Sequence, residues 1–179
     1  ADGIIAINIK DDDELVAVER GDVICNVPDL SRKETARAIA AAAKAQKAWA
    51  ARTGKDRANV LRKWFNLMME NQDDLGAILT AEMGKPLAEA KGEVAYGASY
   101  VEWFAEEAKR IYGETIPGHM PDKRLMVIKQ PIGVAASITP WNFPNAMIAR
   151  KVAPALAAGC GFVARPAAET PLSALAMAL

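Results

Sequence analysis

The sequence predicts an α/β protein in which a helical front segment leads into a parallel β-sheet. Helical periodicity fills residues 31–111, two short apolar runs follow at 132–138 and 162–164, and a helical segment connects those runs. Strand, helix and strand in this order form a right-handed crossover in a parallel sheet, the unit of doubly wound nucleotide-binding folds. We therefore expect a Rossmann-like sheet behind the front helices.

The first two helices are predicted from their caps and their apolar stripes. The first begins at Ser31-Arg32-Lys33-Glu34, which has the form of a capping box. Its predicted buried face consists of Ala36, Ile39, Ala40, Ala43 and Ala50. The second helix opens at Thr53, where a similar cap is present. Its predicted buried stripe consists of Val60, Leu61, Trp64, Phe65 and Met68.

Two more helices complete the front segment. One is predicted from Asp73 to Met83, ending at the signal Gly84-Lys85-Pro86. The next runs from about Leu87 to Ile111. Its predicted buried seam consists of Val94, Ala98, Val101, Ala105 and Ala108. A loop should follow to about Lys123, and residues 125–130 alternate like a half-exposed strand.

The last part of the chain alternates strands and helices. Residues 132–138 are small and apolar, like a strand that is buried on both faces. A helix is predicted over 145–158, and Pro154 inside it should kink it or end it early. A short strand at 162–164 and a helix over 171–179 follow.

The composition excludes several classes of function. The 179 residues include 22 basic and 22 acidic ones, so the chain lacks the electrostatic footprint of a nucleic-acid or membrane-surface protein. No apolar run is long enough to span a bilayer, and Cys25 and Cys160 lack metal-site spacing. We expect a cytoplasmic protein with no metal, no nucleic-acid partner and no membrane association.

Two polar features favour structural roles. His119 lies in a loop-like stretch where nothing nearby forms a catalytic dyad. The four acids at 11–14 lack the spacing of an EF-hand. They are predicted to form the solvated turn of a hairpin between strands at 3–9 and 15–18.

The segment Thr139-Pro140-Trp141-Asn142-Phe143-Pro144 is the best candidate for chemistry. It follows the carboxyl end of a buried strand, where open α/β sheets bind ligands. Two prolines stiffen its backbone, and the Asn142 amide between them could donate a hydrogen bond to an oxyanion. An Asx-type turn that feeds the next helix explains the same residues equally well.

A combination of motifs extends well beyond this segment. TPWNFP is followed by KVAPALAAGC at 151–160 and then by a basic residue, Pro and Ala. Matching segments precede it at 64–70, 84–93, 103–107, 112–118 and 128–134. In this order the motifs resemble the aldehyde dehydrogenase superfamily. Over residues 26–179 they are most similar to the bacterial succinate semialdehyde dehydrogenases.

The resemblance implies roles for the residues of the candidate segment. Asn142 corresponds to the family's side-chain donor to the thiohemiacetal oxyanion. Pro140 and Trp141 correspond to residues that line the cofactor cleft, and Ile138 and Thr139 to residues near the nicotinamide half. The implied fold is the N-terminal part of an aldehyde dehydrogenase.

Arg150 matches an arginine that helps to clamp the distal carboxylate of the substrate in the succinate semialdehyde branch. A planar guanidinium suits this bidentate task, although an ion pair on the helix face is the structural alternative. The implied reaction is NAD(P)-dependent oxidation of succinate semialdehyde to succinate by a homo-oligomer. Another semialdehyde dehydrogenase, for example for glutarate semialdehyde, and an inactive fragment remain alternatives.

The cofactor residues depart from the family pattern. Arg165 stands where the family usually has a lysine that touches the adenosine ribose. Ala168 stands where a glutamate would hold the ribose hydroxyls of NAD, and Glu169 comes one position late. Without that glutamate, an arginine can accept the 2′-phosphate, so NADP is favoured over NAD.

The resemblance also divides the chain. Cys160 occupies an apolar position typical of a buried structural cysteine, so the nucleophilic Cys and the general-base Glu are expected beyond Leu179. The 179 residues alone are therefore expected to be inactive. Residues 26–120 are assigned to the helical N-terminal part of the cofactor-binding domain, and 121–179 to its first Rossmann-like strands and helices. Residues 1–25 are assigned to an atypical hairpin, faintly similar to a gyrase strand repeat, and a chimeric origin stays open.

Overall fold

The computed structural model describes residues 5–7, 18–19 and 22–179. The helices are α1 (Arg32–Ala50), α2 (Gly54–Glu70), α3 (Gln72–Met83), α4 (Leu87–Glu107), α5 (Pro144–Ala157) and α6 (Pro171–Ala178). The strands are β1 (Ile5–Ile7), β2 (Val18–Glu19), β3 (Asp22–Val23), β4 (Glu114–Pro117), β5 (Arg124–Val127), β6 (Val134–Ile138) and β7 (Gly161–Arg165).

A parallel sheet with the strand order β1-β7-β6 forms the back of the molecule. Strand β6 pairs in parallel with β7 from Val134↔Gly161 to Ile138↔Arg165, and α5 connects the two strands. The predicted strand-helix-strand unit and its parallel pairing are therefore confirmed.

The prediction that residues 132–138 are buried on both faces is wrong for the described structure. Ser137 is buried, whereas Ala136 and Ile138 on the opposite face are exposed. Ile132, before the strand, is 87% exposed. Helices α1 and α5 both contact β6, yet the end of the strand with Ala136 and Ile138 stays exposed, so small apolar residues did not require complete burial.

The pairing near the N-terminus differs from the predicted hairpin. Ile5–Ile7 pairs in parallel with β7, and Val18–Glu19 pairs with Asp22–Val23. The acidic turn predicted at 11–14 lies outside the described residues. Strand β7 pairs with β6 along one edge and with β1 along the other, so the edge of β7 that β6 leaves open is covered by β1.

Helix α4 is the centre of the helical layer, where it packs against α2, α3 and α5. Its predicted seam is confirmed, because Val94, Ala98, Val101, Ala105 and Ala108 are all buried. The helix ends at Glu107 rather than at Ile111. Small residues let α5 approach closely, since a Cβ on Gly97 would lie only 3.4 Å from the Ala146 Cα atom.

The predicted rotation of α1 is wrong. Ala36, Ile39, Ala40 and Ala43 are exposed, and Ala42 and Trp49 are the buried positions instead. An alanine-rich helix gives almost no hydrophobic contrast, so one large side chain fixes its rotation. The Trp49 side chain is buried and its indole N–H donates to the Leu156 carbonyl oxygen at 2.9 Å.

Helix α2 follows its predicted stripe in part. Leu61 and Met68 are buried, Trp64 and Phe65 pack partly buried against the core, and Val60 is exposed. The N-terminal caps of α1 and α2 are present: the Ser31 hydroxyl accepts from the Lys33 amide, and the Thr53 hydroxyl accepts from the Asp56 amide.

Several boundaries differ from the predicted ones. Helix α3 ends as predicted at Gly84, whose φ of 75° is left-handed. Pro154 does not end α5, which continues to Ala157 before Gly159. In the predicted loop before Lys123, residues Glu114–Pro117 form β4, which pairs with β5 as an antiparallel hairpin.

Helices α5 and α6 share an unusual way of starting. Each has proline at its first position, and the residue before it supplies no side-chain cap. A buried glutamate from another helix takes this role in α6. Glu82 of α3, only 5% exposed, accepts from the Leu172 amide at 2.6 Å and from the Ser173 amide at 3.0 Å. Burial raises the pKa of the Glu82 carboxyl, and the hydrogen bonds from Ser173 and Leu172 oppose that shift.

Replacing Glu82 with alanine should leave both α6 amides without an acceptor. We expect the free energy of unfolding to fall by about 1–3 kcal/mol, the cost of a lost cap and of unsatisfied donors. Glu82→Gln keeps one acceptor oxygen and should lose less. Thermal melts of the purified protein measure both effects. Glu70→Ala, at an exposed position of α2, is the control and should change stability by less than about 0.5 kcal/mol.

The stability difference between wild type and Glu82→Gln should also depend on pH. Because the folded-state pKa of Glu82 lies above its ordinary value of 4.5, its ionisation costs more in the folded than in the unfolded protein. Its contribution is therefore fully present below the ordinary pKa and declines as pH rises through the folded pKa. The difference should shrink as the pH rises above the ordinary pKa of 4.5, and a difference that grows with pH contradicts this assignment.

Candidate active site

The candidate segment lies at the carboxyl edge of the parallel sheet. Thr139 follows β6, and its backbone N–H donates to the Arg165 carbonyl oxygen at the end of β7 over 3.2 Å. The structure therefore brings Ile138, Thr139 and Arg165 together at the ends of β6 and β7. The Thr139 side chain is buried, whereas Ile138 is 74% exposed and the Arg165 side chain is also exposed.

The next four residues form an exposed loop above this edge. Pro140 and Asn142 are exposed, Trp141 is 53% exposed and Phe143 is 40% exposed. Within the described part of the chain, the Asn142 side chain has no hydrogen-bond partner, so its amide is available to donate. The Asn142 side chain does not form an Asx-type turn. In such a turn its oxygen would accept from the backbone N–H two residues later, and Pro144 at that position has no N–H.

Lys85 holds the backbone of this loop. Its ammonium donates to the Asn142 carbonyl oxygen at 3.0 Å and lies 4.0 Å from the centre of the Phe143 ring. It also forms an ion pair with the buried Glu93 carboxylate. A cation thus contacts two consecutive residues of the candidate segment from the connection between α3 and α4.

Glu93 in turn caps α5. Its Oε1 atom accepts from the Asn145 amide at 3.0 Å and from the Ala146 amide at 3.4 Å. The residue is 3% exposed, so its charge is shielded from water and is satisfied by Lys85 and by the helix terminus. The sequence does not predict the ion pair of Glu93 with Lys85 or its capping of α5. One signal was available, because Glu93 directly precedes Val94 on the buried seam of α4.

Basic and polar groups hold the other end of α5. The Arg57 guanidinium donates through Nε to the Ala157 carbonyl oxygen at 2.9 Å, and the Gln46 amide donates to the Gly159 carbonyl oxygen at 3.1 Å. Burial lowers the pKa of Arg57. Together with the Trp49 indole, these groups fix the carboxyl end of α5 against α1 and α2.

Arg150 packs against two tyrosines of α4. Its Nη2 atom donates to the Tyr96 hydroxyl at 3.1 Å and to the Tyr100 hydroxyl at 2.6 Å, and its guanidinium carbon lies 5.0 Å from the Tyr100 ring centre. The Tyr100 hydrogen bond raises the pKa of Arg150. Among the described residues no carboxylate pairs with Arg150, so the predicted alternative of a helix-face ion pair is not found. Its described hydrogen bonds go to α4 and to Met147, not to the Asn142 loop.

The remaining predicted residues have simple surroundings. Ala168 is half-buried in the turn after β7, and Glu169 beside it is exposed. In the part of the chain that the structure describes, Arg165 has no ion-pair partner.

Other candidates from the sequence carry no site. Cys160 is buried, as predicted, and Cys25 is exposed. No cluster of potential metal ligands is found among the residues that are described. Within the same residues, no helix is long and apolar enough to cross a membrane.

A model of the aldehyde dehydrogenase family matches residues 10–179, and the chain belongs to this family. The match begins at residue 10, ahead of the motifs that carry the resemblance, and the domain boundary at residue 25 stays a prediction.

The chain is similar to several semialdehyde dehydrogenases. It is 68% identical over 158 residues to glutarate-semialdehyde dehydrogenase of Pseudomonas aeruginosa, and 66% identical over 158 residues to the NADP(+) succinate-semialdehyde dehydrogenase GabD of Escherichia coli. Each alignment covers 88% of this chain and 33% of the relative. The chain thus spans about a third of the length of these relatives.

Solved structures give the same result. The crystal structure of succinate-semialdehyde dehydrogenase from Burkholderia pseudomallei is 55% identical, with a TM-score of 0.88, and the alignment covers 97% of this chain and 36% of that one. The NADP-dependent enzyme of E. coli is 61% identical at the same TM-score, over 97% of this chain and 35% of that one. The predicted fold, the N-terminal part of an aldehyde dehydrogenase, is confirmed.

Proposed function

We propose that the full-length protein is an NAD(P)-dependent dehydrogenase that oxidises succinate semialdehyde to succinate. The observation that carries the proposal is the Asn142 amide, which has no hydrogen-bond partner among the described residues and lies at the carboxyl edge of the parallel sheet. Glutarate semialdehyde is the second candidate substrate, because a glutarate-semialdehyde dehydrogenase is 68% identical to this chain. Assembly as a homo-oligomer in the cytoplasm belongs to the same proposal.

Asn142 would stabilise charge on the substrate oxygen. When a nucleophile adds to an aldehyde, the carbonyl oxygen becomes an oxyanion, and an amide N–H fixed in advance lowers the energy of that state. The nucleophilic Cys and the general-base Glu would come from the part of the protein outside these residues, since Cys160 is buried. For this reason we propose that residues 1–179 alone are inactive.

Arg150 would hold the distal carboxylate of the substrate. Its Nη2 donates to both tyrosine hydroxyls, which fixes the guanidinium plane without neutralising its charge. A positive group oriented by neutral partners is suited to a carboxylate ligand.

Ile138, Thr139, Pro140, Trp141, Arg165 and Ala168 are proposed to contact a nicotinamide dinucleotide. That cofactor, when bound, supplies the oxidant for the reaction. The exposed Arg165 favours NADP over NAD, because its cation lies at the sheet edge and no carboxylate occupies position 168. The NADP dependence of the E. coli relatives supports this preference.

Removing the Asn142 amide tests the catalytic part of the proposal. Asn142→Ala in the full-length protein should lower kcat by about 10²–10³-fold, the usual cost of losing an oxyanion donor. Asn142→Asp, which has the same shape without an N–H, should lose at least as much. Single-turnover rates of cofactor reduction with succinate semialdehyde measure the effect, and nearly unchanged rates would refute the role.

Comparing charged and uncharged substrates tests Arg150. Arg150→Ala should raise KM at least about tenfold for succinate semialdehyde and leave butanal oxidation almost unchanged, because only the first substrate carries a distal carboxylate. Arg150→Lys keeps the charge and should recover part of the loss. An equal loss for both substrates shows that Arg150 only supports the packing of α4 against α5.

A new carboxylate at position 168 tests the cofactor preference. Ala168→Glu should shift the ratio of kcat/KM towards NAD by about 1–3 kcal/mol, since it adds an acceptor for the ribose hydroxyls and repels a 2′-phosphate. Ala168→Gln is the matched control, because it adds similar bulk without charge and should shift the ratio less. A wild type that strongly prefers NAD, or a ratio that does not move, contradicts the assignment.

A further inference from the structure

Lys85 makes contacts that the capping of α5 does not require. Glu82 performs the same task for α6, and among the described residues no cation pairs with it. A buried glutamate therefore caps α6 without a cation, whereas Lys85 balances the charge of Glu93. The further contacts of Lys85 with Asn142 and Phe143 need a separate explanation.

The Asn142 backbone supplies that explanation. The Lys85 ammonium lies 3.0 Å from the Asn142 carbonyl oxygen and faces the Phe143 ring at 4.0 Å. The Lys85 side chain is 11% exposed, whereas Asn142 and Phe143 lie in the exposed loop, so the lysine reaches this loop from a largely buried position. Lys85 thereby fixes the peptide group directly after the Asn142 Cα atom.

Glu93 fixes the other side of the same loop. Its contacts with the Asn145 and Ala146 amides set where α5 begins, two residues beyond Asn142. The Lys85–Glu93 ion pair links the two attachment points. The exposed Asn142 side chain has no partner of its own among the described residues, so its direction depends on the backbone that this pair holds.

We propose that Lys85 and Glu93 are positioning residues that aim the Asn142 amide at the reacting oxygen. The inference rests on the proposed role of Asn142. Lys85 acts through the Asn142 backbone and touches neither substrate nor cofactor in this assignment. A donor that is misplaced by about 1 Å can cost on the order of 100-fold in rate, so such a clamp has a measurable effect on catalysis.

Lys85→Met in the full-length protein removes the cation and keeps a side chain of similar length. Single-turnover cofactor reduction with succinate semialdehyde should slow by about 10- to 100-fold, whereas KM for the aldehyde and for the cofactor should change by less than about threefold. Lys85→Arg should restore part of the rate. A change in KM with an unchanged rate would overturn the proposal.

Lys85→Met leaves the Glu93 charge buried without a cation, so it could also unfold the protein. The double variant Lys85→Met/Glu93→Gln avoids this problem, because a glutamine oxygen can still accept from the α5 amides. It should melt closer to wild type than Lys85→Met and still show the slow rate. Recovery of the full rate in this double variant would overturn the proposal.

A double-mutant cycle separates positioning from a general effect on the fold. If Lys85 acts through Asn142, adding Lys85→Met to Asn142→Ala should slow the reaction by less than about twofold further. Losses that multiply would overturn the inference. Lys91→Met is the matched control. Lys91 lies on α4, as Glu93 does, and its ammonium pairs with the Asp73 carboxylate of α3 at 2.9 Å. Loss of this ion pair should leave the rate unchanged.

The same cycle distinguishes failure of this inference from failure of the proposed function. A normal rate in Asn142→Ala overturns the role of Asn142 and, with it, the positioning role. A slow rate in Asn142→Ala with a normal rate in Lys85→Met overturns the positioning role alone.

Discussion

The structure around the candidate site depends on a charge held at each end of α5. The Glu93 carboxylate accepts from the amides of the first turn, and the Arg57 guanidinium donates to a carbonyl of the last. Both signs match the helix dipole, whose amino end is positive and whose carboxyl end is negative. Because both groups are buried and come from other helices, the position of α5 is coupled to α2 and α4. The loop before α5 and strand β7 after it take their places from the same two contacts.

The sequence predicts correctly those parts of the fold in which apolar and charged positions contrast strongly or the order of elements restricts the topology. The seam of α4 combines valine and alanine at helical spacing between charged residues, and its five predicted positions are buried. The parallel pairing of β6 with β7 follows from the order of elements, which leaves few topologies open. In α1, alanines occupy both sides of the helix, so the pattern predicts a buried face with Ile39, whereas Trp49 lies on the buried face. The pairing of β1 with β7 joins residues that are more than 150 positions apart, which local patterns cannot reveal.

In the candidate site, too, the sequence predicts some features and not others. The Thr139–Pro144 loop was located correctly at the sheet edge because it follows a strand and precedes a proline-started helix. The cofactor residues, Asn142 and Arg150 were assigned by resemblance, and their roles remain proposals. In the sequence, Lys85 belongs to a helix-stop signal between Gly84 and Pro86. That position gives no sign of its hydrogen bond to Asn142, which lies 57 positions later. Long-range contacts of a polar side chain leave no periodic trace, and only an unexpected charge on a buried face, as at Glu93, announces them.

Side chains from other helices satisfy the ends of α5 and α6, and this has a consequence for synthesis of the chain. Glu82, Glu93 and Arg57 all precede the helices whose ends they satisfy. A ribosome that makes this chain therefore releases each charged group before the backbone that needs it. When α5 and α6 emerge, the acceptors for their first amides are already present. The order of residues along the chain thus shortens the time during which these helix ends have only water as a partner.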